Sequence, residues 1–184
     1  MPTPHQILGP YFPVATKPAA RADLTTIEGR KGHAEGEVIE VRGRVLNRDG
    51  MPVEGAKLVI WQANCFGRYR HPNDTNTAPV DENFDGFAEI VSGCDGTYRI
   101  KTVKPGAYPA GPDWTRPPHV HFEVVGKFER LITQMYFAGE PLNTSDRFLA
   151  SASDPELLIA APVPDAGGVG SNQIWRFDIV LDRG

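Results

Sequence analysis

The sequence predicts an all-β protein, a two-sheet β-sandwich with long loops and at most short helices. Short stretches of alternating apolar and polar residues recur along the chain, separated by turn signals such as Asp95-Gly96. Glycine (19) and proline (17) both exceed average usage, which favours turns and loops over a helical bundle. At 184 residues the chain can bury one core without disulfides or metal staples, so residues 1–184 are expected to form a single domain.

Residues 1–36 are expected to be an N-terminal arm outside the core, because prolines 2, 4, 10, 13 and 18 remove backbone donors and leave no helical period. The sandwich is expected over 37–184. Val41, Gly43 and Val45 alternate with Arg42 and Arg44, then come Asn47 to Gly50 and the apolar run Ala56 to Ala63, the pattern of two antiparallel strands about a turn. Tyr98, Ile100 and Thr102 alternate with Arg99 and Lys101. His119 to Val125, Leu131 to Phe137 and Trp175 to Leu181 supply three more strands, the last with Trp175, Phe177, Ile179 and Leu181 on one face. Residues 139–172 are loop-rich, with one short helix expected where Ser153 or Asp154 caps, Pro155 opens and Glu156 follows. A segment of that length without its own strand is usually functional or interfacial.

The net charge of −4, with no Lys/Arg cluster, argues against a nucleic-acid partner. The N-terminus lacks a secretory signal's apolar core and no run of about 18 apolar residues suggests a membrane span, so a cytoplasmic location is the default expectation. Cys65 and Cys94 have no metal-binding spacing and are expected to be small, partly buried thiols.

The stretch RPPHVHF, Arg116 to Phe122, carries the sharpest chemical signal. On a strand, residues two apart point the same way, so His119 and His121 present both imidazoles from one face. Pro117 and Pro118 stiffen the entrance to that strand. The pair is either half a metal site or a polar strand face. A cupin-type site would need a carboxylate soon after the second histidine and a third histidine downstream, but Val125 and Gly126 stand there and no histidine follows His121. A thiolate zinc site would need paired cysteines, which are absent. Tyrosine is then the candidate oxygen donor, since a phenol of pKa about 10 ionises only beside a strong, hard Lewis acid such as ferric iron. Tyr69 in GRYRH and Tyr108 in KPGAYP stand out by context, although taken singly Tyr69 is more often a half-buried strand-end aromatic and Tyr108 more often a loop anchor.

In order, the chain contains TPHQILGPYF, WQAN followed by GRYRH, TVKPGAYP, WTRPPHVHF, LITQMYF and WRFDIVL. This series resembles the intradiol ring-cleavage dioxygenases over nearly the whole chain, most closely the iron-bearing chain of the branch acting on protocatechuate. The resemblance implies a prealbumin-like sandwich and a non-haem Fe(III) cofactor. It implies that Tyr69 is an equatorial tyrosinate, that Tyr108 is an axial tyrosinate released when substrate binds, and that His119 and His121 complete the metal ligands. Arg116 matches the family's arginine beside the reacting ring, and Gln134 its active-site glutamine. The implied reaction joins a catechol-type diol, protocatechuate-like, with O2 and opens the ring between the hydroxylated carbons to a cis,cis-muconate. Tyr108 would accept a substrate proton and Arg116 would stabilise negative charge on the ring. His71, beside GRYR, has no place in that ligand set.

The chain departs from the pattern at Ala110, where the protocatechuate branch has a tryptophan, so one pocket wall should be more open. The spacing from Tyr108 to His119 is shorter, and the arm that helps hold a substrate carboxylate has no clear counterpart. Catechol, hydroxyquinol or a larger substituted catechol are alternative substrates. The resemblance implies a homo-oligomer or a hetero-oligomer with a related chain. The rival readings are a non-catalytic prealbumin-like binding module and a silent, iron-free subunit, both of which would be colourless after iron loading.

Overall fold

The computed structural model describes residues 1–13, 20–164 and 172–184. Among them, eleven strands form, in chain order β1 (Val38–Asn47), β2 (Lys57–Trp61), β3 (Phe87–Val91), β4 (Thr97–Val103), β5 (Tyr108–Gly111), β6 (Trp114–Arg116), β7 (His119–Val125), β8 (Arg130–Phe137), β9 (Ile159–Pro162), β10 (Gln173–Arg176) and β11 (Ile179–Leu181). Helix is limited to α1 (Arg147–Ala150) and two 3-10 turns, Pro141–Ser145 and Pro155–Leu158. The all-β expectation is met.

The layering differs from two separate sheets. β4, β1, β10 and β11 pair on one side of the core, and β3, β2, β7 and β8 on the other. β9 runs parallel to β8 and antiparallel to β10, and so hydrogen-bonds the two halves into one sheet. At the opposite gap, Ala20 bridges to Glu89 of β3 and Asp23 bridges to Lys101 of β4, while the Leu24 amide donates to the Lys101 carbonyl at 2.8 Å. The result is a nearly closed sheet. β9 escapes a reading by pattern because Ile159 to Pro162 carries no alternation of apolar and polar residues.

Both halves turn the same alternate residues inward. Ile39, Val41 and Val45 of β1, Leu58 and Ile60 of β2, Ile100 of β4, and Val120, Phe122 and Val124 of β7 share one buried cluster. Full burial of side chains of this size contributes roughly 1.5–3 kcal/mol each, so this cluster fixes which face of β7 points away from it.

Several sequence expectations change here. The Asn47–Gly50 turn forms, with the Gly50 amide on the Asn47 carbonyl at 2.9 Å, yet β2 does not pair with β1. Both edges of β1 are occupied, by β4 on one and by β10 and β11 on the other, so β2 crosses over and pairs with β3 and β7. The last strand is interrupted at Phe177 and Asp178, where the Phe177 carbonyl accepts from the Tyr98 hydroxyl at 2.6 Å and the Asp178 carboxylate accepts from the Arg44 amide at 3.0 Å. Trp175, Phe177, Ile179 and Leu181 are all buried across that break. Within the arm, Leu24 and Ala34 join the core. At Pro155, Asp154 makes no capping bond with its side chain, and the capped helix is α1, where Asp146 accepts from the Phe148 and Leu149 amides. Both thiols are free, and Cys94 is exposed rather than partly buried.

Gly43 lies where β1 passes the break between β10 and β11, and a Cβ there would fall 1.8 Å from the Phe177 carbonyl oxygen. Gly43→Ala should therefore destabilise the fold by about 3 kcal/mol in denaturant unfolding; a loss below about 0.5 kcal/mol would contradict this packing.

Candidate active site and metal centre

The histidines owe their placement to β7's two-residue period. Val120, Phe122 and Val124 enter the main core, so His119 and His121 face the other way, into a second cluster containing Val59, Trp61, Ala63, Tyr69, Phe87 and Tyr108. Register sets their neighbours: His119 lies opposite Tyr136, and His121 lies between Trp61 of β2 and Gln134 of β8. Trp61 stacks on His121 with ring centroids 4.8 Å apart and planes 13° from parallel.

Two further pieces cover this face. β5 and β6 form a hairpin in which Tyr108 pairs directly with Arg116, so one small ladder delivers both side chains. Tyr69 arrives on a loop folded around Asn64, whose side chain accepts from the Phe66 and Arg68 amides at 2.9 and 3.0 Å. Gly67 has φ +80°, and a Cβ there would lie 2.2 Å from the Ala107 carbonyl, so only glycine lets this loop approach the strand carrying Tyr108. The Tyr69 ring then lies 5.5 Å from Tyr108 and 6.3 Å from His121, edge-on to both.

The structure brings Tyr69, Tyr108, His119 and His121 into one buried group. His119 Nε2 is 3.2 Å from His121 Nε2 and 3.4 Å from the Tyr108 hydroxyl. His119 Nδ1 is 2.7 Å from the Pro117 carbonyl, to which only an N–H can donate, so the lone pair belongs to Nε2. Burial, then the Arg116 charge, push the His119 pKa well below its ordinary value. Burial, then His119 and Arg116, do the same to His121. The Tyr69 hydroxyl is buried without a well-formed hydrogen bond. Burial, followed by the neighbouring Tyr108 phenol, raises its pKa well above 10.0. Burial also raises that of Tyr108.

This donor set fits a hard, highly charged cation. Two neutral imidazoles offer lone pairs, and phenols pushed upward by burial ionise only against such a charge. Donor atoms about 3 Å apart suit neighbours on one ion bound at roughly 2.1 Å. Among the described residues no three His, Cys, Asp or Glu side chains converge, and the oxygen donors grouped with the two imidazoles are the Tyr69 and Tyr108 phenols. His71 stays outside the group, its Nδ1 accepting from the Asn73 amide at 3.2 Å.

Arg116 is buried and held on several sides. Nε donates to Asp146 at 3.0 Å, Nη2 donates to the Gln134 side-chain oxygen and the Tyr136 hydroxyl at 2.8 Å each, and Nη1 lies 3.0 Å from His119 Nε2. Burial opposes its charge, but Tyr136 and Asp146 outweigh that and raise its pKa. Gln134 is tied at its other end, donating to the Ile7 carbonyl at 3.1 Å. Sequence reasoning singles out Arg116 and Gln134 but passes over Tyr136, Asp146 and Trp61. Tyr136 and Trp61 stood within quoted motifs, whereas Asp146 had only its place ahead of a short helix as a signal.

A cleft of about 410 Å³ opens onto the group, lined by Tyr108, Ala110, Trp114, Arg116, His121 and Phe148 on one part and by Ile7, Gly9, Pro10 and Tyr11 of the arm on another. The arm is thus a wall of the site, fixed by the Gln6 amide on the Ile132 carbonyl at 2.8 Å. It brings no charge to the lining. A larger cleft of about 680 Å³ lies between β3 and β4, but none of the four grouped side chains lines it.

The neutral histidines make stability of the metal-free protein sensitive to pH. Their folded pKa values lie below the ordinary 6.5, so as pH falls through that value the unfolded chain takes up protons first and stability is lost down to the folded pKa values. Replacing both by glutamine should flatten the fall in stability between about pH 7 and pH 5; an unchanged slope would show that the imidazoles are not held neutral.

A family model described as Dioxygenase matches residues 7–183. The protocatechuate 3,4-dioxygenase beta chain of Burkholderia cepacia is 41% identical over 165 residues, covering 86% of this chain and 70% of that one. The catechol 1,2-dioxygenase of Acinetobacter baylyi is 28% identical over 98% of this chain, which spans 62% of that protein's length. Among solved structures, the dioxygenase domain of a dioxygenase carbohydrate-binding protein fusion from Streptomyces sp. SirexAA-E has TM-score 0.76 and 30% identity, with 100% of both chains covered. With sequence, fold and the motif series in agreement, the chain belongs to the intradiol ring-cleavage dioxygenases, a family of enzymes.

Proposed function

We propose that the chain cleaves a catechol-type diol with O2 between its hydroxylated carbons to a cis,cis-muconate, using Fe(III) held by Tyr69, Tyr108, His119 and His121. The observation that carries this reading is the convergence of the His119, His121 and Tyr108 donor atoms in one buried group with the Tyr69 phenol. When bound, ferric iron would supply the Lewis acidity that draws in both diol oxygens and makes the ring reactive toward O2.

The remaining work falls to the chain itself. Tyr108 lines the cleft as well as the donor group, so its phenolate oxygen can take a proton from the incoming diol. Arg116 keeps its charge in this buried setting and presents Nη1 beside His119, where it can stabilise negative charge developing on the ring. Gln134, tied to Arg116 and to the arm, holds the two walls in register. Trp61 fixes the plane of His121 by stacking, and the arm helps to exclude water.

On substrate, the beta-chain likeness supports a protocatechuate-like acid, while the open wall at Ala110 leaves space for other substituted catechols. Likeness to both the beta and the alpha chain of protocatechuate 3,4-dioxygenase supports a partner that is a related chain or a further copy of this one. Two free thiols suit a reducing, cytoplasmic setting.

The test is oxygen uptake by iron-replete protein offered a panel of catechols, with product mass. Stoichiometric uptake and a ring-opened diacid are expected; no uptake with any diol, with iron in place, would overturn the reading. Arg116→Ala should still bind the diol but turn it over roughly 100-fold more slowly, and near-normal kcat would remove its charge-stabilising role. Tyr108→Phe should retain iron while changing proton release on diol binding; unchanged release would exclude Tyr108 as the acceptor. His71→Ala should leave iron content unchanged, and metal loss would enlarge the ligand set.

A further inference from the structure

Arg116 is useful to the proposed reaction only if its guanidinium stays where the ring will lie, and a long side chain does not hold itself there. We infer that Asp146 is the positioning residue that aims Arg116, a role that rests on the reading of Arg116 given above. Asp146 is fully buried, at 0% exposure, in the stretch between β8 and β9. A carboxylate so placed must be paired or well supplied with donors.

Its two oxygens divide the work. Oδ1 accepts from the Phe148 amide at 3.1 Å, the Leu149 amide at 2.9 Å and the Tyr136 hydroxyl at 3.1 Å. Oδ2 accepts from Arg116 Nε at 3.0 Å, while Arg116 Nη2 reaches Oδ1 only at 3.4 Å. With Nε committed to Asp146 and Nη2 to Gln134 and Tyr136, Nη1 is the edge turned toward His119. The same carboxylate starts α1, and α1 carries Phe148, whose ring lies 4.7 Å from the centre of the Arg116 guanidinium and lines the cleft. Asp146 thus fixes the guanidinium at its edge and places the aromatic ring that covers its face.

This division supplies a selective variant. In Asp146→Asn the amide oxygen can keep the Oδ1 bonds, and asparagine caps a helix about as well as aspartate. The amide nitrogen then meets Arg116 Nε, donor against donor, so Arg116 is released while the cap survives. A small misplacement of such a group costs up to roughly 100-fold in rate.

Iron-replete Asp146→Asn should lose roughly 10- to 100-fold in kcat, with KM for the diol changed by less than about 3-fold. In an Arg116→Ala background the same substitution should change kcat by less than about 2-fold. An equal loss in both backgrounds would mean that Asp146 does not act through Arg116 and would overturn the inference, as would unaltered kcat. A second readout needs neither iron nor a variant: in metal-free unsubstituted protein, the Arg116 Nε–H proton should exchange slowly in nitrogen-edited NMR, and rapid exchange would overturn the inference even if Asp146→Asn failed to fold. Absence of turnover by the unsubstituted, iron-replete protein would instead sink the proposed function.

Discussion

The site depends first on the two-residue period of β7. Val120, Phe122 and Val124 are committed to the core, and this leaves His119 and His121 no choice of direction. A slip of one residue would bury the imidazoles among aliphatic side chains and turn the apolar set into the second cluster, an outcome blocked by the pairing of β7 with β2 and β8 on its two edges. The same ladders put Trp61, Gln134 and Tyr136 beside the histidines. What surrounds the candidate metal site is therefore largely a consequence of strand register.

A second constraint is electrostatic. The group lies in a buried, aromatic setting that disfavours every charge it might carry, which is why the histidines are held neutral and the phenols protonated when no cation is present. Arg116 is the exception. It remains charged because Asp146, Gln134 and Tyr136 replace its hydration shell with fixed acceptors. The resulting preorganisation suits a reaction in which negative charge develops beside a fixed cation and solvent need not rearrange.

Local features were legible in the sequence. The His-x-His pair stands behind two prolines, Tyr108 and Arg116 fall within quoted motifs, and most core strands announce themselves by alternation. What stayed hidden depends on distance along the chain. Asp146 meets Arg116 across 30 positions, and Gln6 of the arm approaches Tyr136 across 130, so no local pattern encodes either contact. The arm looked peripheral because its prolines forbid regular structure, yet an extended chain is well suited to pairing along β8 and walling a cleft. The expected hairpin of β1 and β2 failed for a related reason: turn chemistry at Asn47–Gly50 says that the chain reverses, but not which edges of β1 are already occupied.

In the proposed site two phenolates and two imidazoles share one ferric ion. Resonance Raman spectroscopy of the iron-loaded protein, excited within its visible absorption, tests this most directly. Enhanced tyrosinate ring modes that weaken when Tyr69 alone is replaced by phenylalanine are the predicted result. An iron-loaded protein without visible absorption or tyrosinate modes would contradict it.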